Sequence, residues 1–125
     1  MVTSLDLART AYSGLASSVR TTRSMEYDLI ARTTRRLRAA TRRRREDFPE
    51  FAAALHENVK LWTVLAQDVA EPENSLPDDI KARIVYLYEF TMDQSRRALS
   101  AGAETEVLID VNTAIMRGLR GGGEG

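Results

Sequence analysis

The sequence predicts an all-α fold: a single compact bundle of four or five helices over residues 1–120, followed by a flexible glycine-rich tail at 121–125. Three observations carry this reading. Strand signals are weak, because period-two alternation and Asn-Gly or Asp-Gly hairpin turns are scarce. Apolar residues instead recur at i, i+3, i+4 and i+7 in successive segments. Helix starts and stops stand between those segments: Asp47 with Pro49, the run Glu71-Pro72-Glu73-Asn74-Ser75, and Gly102. At 125 residues the chain suits one domain with one modest core.

The elements follow in order. Leu5, Ala8, Tyr12 and Leu15 give Thr3 to Ala16 helical spacing, but Gly14 and the Ser/Thr content weaken it. Residues 1–22 are therefore expected to be a marginal or mobile N-terminal helix. The next helix is predicted over Ser24 to Arg45, with Ser24 as its cap and Glu26 in its first turn. Leu29, Ile30, Thr33, Leu37 and Ala40 mark its apolar face. A helix from Asp47 to Val69 has Asp47 as N-cap, Glu50 three residues on as in a capping box, and Pro49 in the first turn. Leu55, Asn58, Leu61, Trp62, Leu65 and Val69 form its stripe.

A helix from Pro77 to Ala101 opens on Asp78 and Asp79, which complement its positive N-terminal end, and stops at Gly102. Ile80, Ile84, Leu87, Tyr88 and Thr91 share one face. Val85, Tyr86, Phe90 and Met92 widen the apolar arc, as in a helix that is central or covered by a partner. The last helix, Glu104 to Leu119, carries Leu108, Val111, Asn112, Ile115 and Leu119 inward. The stripes of Trp62, Leu87 and Ile115 are expected to meet in one core.

Composition excludes several chemistries. There is no cysteine, so there is no disulfide, thiol nucleophile or thiolate metal site. His56 is the only histidine, with no oriented partner in the sequence, and reads as structural rather than as a general base. One histidine without cysteine makes zinc binding unexpected. Asp78 and Asp79 are adjacent on a helix and do not face each other. The expectation is no catalytic residue, no metal and no cofactor. Neither a membrane span nor a signal peptide is read, which points to a soluble cytoplasmic protein.

The net charge of zero hides an asymmetry. Up to Arg45 there are 11 Arg against 3 acids, and beyond it 7 Lys or Arg against 15 acids. Arg35-Arg36-Leu37-Arg38 and Arg42-Arg43-Arg44-Arg45 concentrate the basic side. Arg35, Arg38, Arg42, Arg43, Arg44 and Arg45 are candidate phosphate contacts for a nucleic acid. No aromatic residue interleaves with them, so base stacking is not suggested, and a solvated helix end paired with the acidic half is the competing reading. Candidate protein-binding residues are Asn58, Trp62, Tyr86, Tyr88, Phe90 and Asn112. For the two asparagines the alternative is an interhelical hydrogen bond, and for Trp62 a place in the core.

Several blocks, in order, resemble the FlaF family of flagellar biosynthesis regulators. They are Arg23 with Glu26-Tyr27 and Leu29; Leu55, Asn58, Leu61-Trp62, Leu65 and Asp68; Asn74 with Leu76-Pro77; and Leu108-Ile109-Asp110-Val111-Asn112 with Ile115-Met116 and Gly118-Leu119. The resemblance covers Ser24 to Leu119. It implies a non-enzymatic cytoplasmic regulator of flagellum biogenesis. Such a protein would act on flagellin synthesis and secretion as a chaperone-like adaptor that binds flagellin, together with a FlbT-type regulator. The alternative it implies is an RNA-associated, post-transcriptional regulator of flagellin mRNA acting with FlbT.

Overall fold

The computed structural model describes the backbone of residues 16–124 and the side chains of 26–118; the N-terminal helix expected at Thr3 to Ala16 lies almost wholly outside the described residues. Four helices are present and no strand occurs among the described residues: α1 (Ala16–Arg42), α2 (Phe48–Ala70), α3 (Asp78–Ala101) and α4 (Glu106–Glu124). Short turns join them, so successive helices run antiparallel. α1 packs against both α2 and α4, and α2 also packs against α3, whereas α3 and α4 touch only slightly. The bundle is thus open on one side, and α3 is backed almost entirely by α2.

α1 starts at Ala16 and passes through Ser24, where the sequence predicts its cap. No proline or glycine interrupts residues 16–42, so nothing local forces a start at Ser24. α2 is capped as expected. Asp47 Oδ1 accepts the Glu50 N–H at 3.2 Å, and Pro49 lies in the first turn. The capping box is only half made, because the Glu50 carboxylate reaches Arg36 on α1 instead.

At the other end of α2, Asn74 Nδ2 donates to the Asp68 carbonyl at 3.2 Å and its Oδ1 accepts the Leu76 N–H at 3.0 Å. One side chain therefore satisfies a terminal helix carbonyl and closes the turn that leads into α3. α3 ends at Gly102 with φ +70°, a left-handed conformation that glycine adopts without a Cβ penalty. α4 continues to Glu124 over the glycines at 121–123, beyond the stop predicted at Leu119 and where the composition predicts a flexible tail.

The core cluster lies toward the α1–α2 turn. Leu37 and Ala40 of α1 meet Phe51, Ala54 and Leu55 of α2, Ala98 of α3, and Leu108 and Ile109 of α4. Each large side chain buried there contributes roughly 1.5–3 kcal/mol. The expected meeting of Trp62, Leu87 and Ile115 is only partly realised: Trp62 is buried, while Leu87 and Ile115 are half-buried. The physical reason is the open arrangement, in which α3 covers α2 but scarcely reaches α4.

Candidate functional site

Asn58, Trp62 and Asn112 come together in the interior and are fully buried. The indole N–H of Trp62 on α2 donates to Asn112 Oδ1 on α4 at 2.8 Å. An indole nitrogen is only a donor, so the atom it meets must be the amide oxygen, and this fixes the Asn112 side chain. Its Nδ2 then points the other way and donates to Asn58 Oδ1 on α2 at 2.8 Å and to Thr34 Oγ1 on α1 at 3.1 Å. Thr34 Oγ1 donates in turn to the Ile30 carbonyl at 2.6 Å. Asn112 thus uses its carbonyl and both amide hydrogens to join α1, α2 and α4. The asparagines and Trp62 form an interhelical bond, the alternative to partner binding, and a partner cannot touch them in this folded state. Thr34, the fourth member, is not among the residues that the sequence singles out; a mid-helix threonine gives no sign of its partner.

The other three candidates lie on α3. Tyr86 is 66% exposed, Tyr88 is half-buried, and Phe90 is half-buried against the core cluster. The inward face of α3 carries small polar residues, Thr91 and Ser95, then Ala98, all buried. Beside this face runs a line of apolar residues that α2 does not cover. Val85 is 38% exposed, Met92 38% and Leu99 42%. Their signal is present in the sequence: Val85, Met92 and Leu99 recur every seven residues, which places them in one row along the helix beside half-buried Tyr88.

The arginine run divides. Arg44 turns inward: its Cζ sits 4.6 Å from the centroid of the Phe51 ring, Nη1 donates to the Ala103 carbonyl at 3.1 Å, and Nη2 donates to the Ala98 carbonyl. It caps the C-terminal end of α3 from the α1–α2 turn, so its guanidinium is engaged within the fold. Arg36 forms a two-pronged pair with Glu50, Nε to Oε2 at 2.9 Å and Nη2 to Oε1 at 3.0 Å. That hydrogen bond raises the Arg36 pKa and lowers the Glu50 pKa. Arg43 approaches Glu46 at 3.8 Å with both side chains well exposed. Arg35, Arg38 and Arg42 lie exposed along one face of α1, with Arg45 exposed in the turn beyond. The acidic half therefore pairs with Arg36 and leaves most of the basic run in solvent.

Among the described residues no three His, Cys, Asp or Glu side chains gather into a metal site. No described helix is long and apolar enough to cross a membrane. His56 is exposed on α2. The arrangement offers an exposed apolar helix face and an exposed arginine ridge, both suited to binding. A family model described as flagellar protein FlaF matches residues 8–119. No curated protein and no solved structure matches the chain.

Proposed function

The chain belongs to the FlaF family of flagellar proteins, and from that premise we propose that it is a non-enzymatic cytoplasmic regulator of flagellum biogenesis that binds flagellin as a chaperone-like adaptor. The observation that supports this reading is the part-exposed apolar line Val85, Met92 and Leu99 on α3, together with the exposed Tyr86 on the same helix and α2 alone behind it. An apolar helix face takes an amphipathic partner helix through side chains one turn apart. The helical termini of flagellin are partners of that kind. A FlbT-type regulator is the second partner in this proposal.

Co-purification of the chain with flagellin, at low and at moderate salt, tests the reading. Apolar docking keeps most of its affinity when salt is raised, whereas phosphate contacts weaken steeply as counterions are released. A second reading rests on Arg35, Arg38 and Arg42, the exposed ridge of α1: contact with the leader of flagellin mRNA. Absence of flagellin binding, together with salt-sensitive leader binding, would replace the first reading with the second.

A further inference from the structure

From Val85 to Leu99 the helix rises through fourteen residue steps, about 21 Å. Over that length Val85, Met92 and Leu99 form a part-exposed seam that recurs every seven residues, with half-buried Tyr88 at its edge and Met92 at its centre. A seven-residue row drifts by only about 20° per heptad around an α-helix, so over two heptads a gently supercoiled partner helix can follow it. Within the chain only α2 packs extensively on α3, and Val85, Met92 and Leu99 stay part exposed beside the buried Ser95.

The charges beside the seam identify the helix that fits. Glu89 and Arg96 flank it on the solvent side, both exposed and one on each side of Met92. We infer that the seam pairs with the same seam of a second copy of this chain, antiparallel about a two-fold axis near Met92. In that pairing Met92 meets its own equivalent, Val85 lies beside Leu99 of the second copy, and Glu89 lies beside Arg96 of the second copy. The symmetry makes each contact twice, as in other isologous interfaces. In a parallel pairing Glu89 and Arg96 would lie on opposite flanks of the two helices and meet no opposite charge, so only the antiparallel arrangement joins them.

Arg96 is free to take this role. Its present bond is to Asp93 at 2.9 Å, between exposed side chains three residues apart, which is a weak kind of pair. Asp93 keeps Arg97, at 3.0 Å, when Arg96 turns away. One helix against one helix lies at or below the low end of the ~1,200–2,000 Å² buried in stable complexes, so the dimer is weak and dissociates on dilution. If the proposed flagellin docking on α3 holds, the dimer also covers part of that face until cargo arrives; the self-pairing itself does not depend on that reading.

Sedimentation velocity over a wide concentration series is the test, with circular dichroism as the check on folding. The wild type should pass from monomer to dimer as concentration rises. Met92→Glu sets two carboxylates against each other at the axis and should leave a helical monomer throughout. Glu89→Arg and Arg96→Glu should each weaken the dimer, and the double variant Glu89→Arg/Arg96→Glu should restore it. A wild type that stays monomeric at every concentration overturns the inference, and flagellin binding by that monomer assigns the seam to cargo. A dimer indifferent to Met92→Glu, or no recovery in the double variant, overturns it equally.

Discussion

The indole N–H of Trp62 donates to Asn112 Oδ1 at 2.8 Å, across fifty residues of sequence and between two helices with no close backbone contact. Side chains alone bridge α2 and α4 here, so the bond carries much of the definition of that contact. Trp62→Ala should lower the free energy of unfolding by about 3–5 kcal/mol, through the lost volume and the orphaned carbonyl. Trp62→Phe keeps most of the apolar ring but leaves Asn112 Oδ1 unpaired, and should cost about 1–3 kcal/mol. Urea unfolding of both variants checks the order.

Asn112→Asp tests the hub more sharply. The introduced carboxyl keeps an acceptor for Trp62 but turns a second oxygen toward Asn58 Oδ1, in a fully buried place. Burial and the facing oxygen favour the neutral acid, so the carboxyl pKa in the folded variant is raised above its unfolded value. The unfolded state then releases its proton first as pH rises. The variant should be most stable at acid pH, relative to wild type, and lose that stability as pH climbs from the unfolded value toward and beyond the raised one. A parallel pH series of denaturation midpoints for wild type and variant shows it; a constant gap between the two curves would contradict the assignment of Asn112 as donor to Asn58.

Buried hydroxyls on α3 give a prediction of opposite sign. Thr91 Oγ1 is buried and has no hydrogen-bond partner among the described residues. A hydroxyl desolvated without a partner costs about 1–3 kcal/mol by mutational measures. Thr91→Val keeps the shape and removes the orphaned group, so it should raise stability, by roughly 1 kcal/mol. A thermal melt that shifts downward instead means that the hydroxyl has a partner in solution.

In the run Arg42 to Arg45 one residue should stand apart. Arg44→Gln loses two charge-assisted bonds to the carbonyls of Ala98 and Ala103 and the stacking on Phe51. Hydrogen bonds from a charged group contribute about 1.5–3 kcal/mol, so a loss of that order is expected. Arg42→Gln and Arg45→Gln lie in solvent and should stay within about 0.5 kcal/mol of wild type. Equal effects along the run, measured by denaturant unfolding, would remove Arg44 from its capping role.

The same contrast explains what can be read from the sequence. Asp47, Pro49 and Gly102 act on residues within a turn of themselves, so their roles are legible from spacing. The inward places of Asn58, Trp62 and Asn112 are legible from their stripes, but that Asn112 unites the other two requires the topology. Arg44 is hidden among identical neighbours, because its partners lie more than fifty residues away. The displaced core is hidden for a similar reason. Periodicity tells which face of α3 is apolar, but not that α4 packs on α1 and leaves that face to α2.

Tyr86 separates the proposed docking face from the core. Its side chain is 66% exposed on α3, and surface substitutions away from special contacts change stability by about 0.5 kcal/mol or less. Tyr86→Ser should therefore unfold at nearly the wild-type denaturant concentration. An exposed aromatic that anchors a partner helix costs more than about 1 kcal/mol when truncated, a weakening of roughly fivefold or more in affinity. Flagellin binding by Tyr86→Ser should fall by at least that much, with the loss retained at moderate salt. Replacing Arg42, Arg43 and Arg45 with Gln should leave flagellin binding largely intact, since those guanidiniums face solvent at the end of α1 and in the turn after it, on a different helix from Tyr86. If the Gln variant loses flagellin while Tyr86→Ser keeps it, the binding surface lies on the arginine ridge and the α3 face is not the docking site.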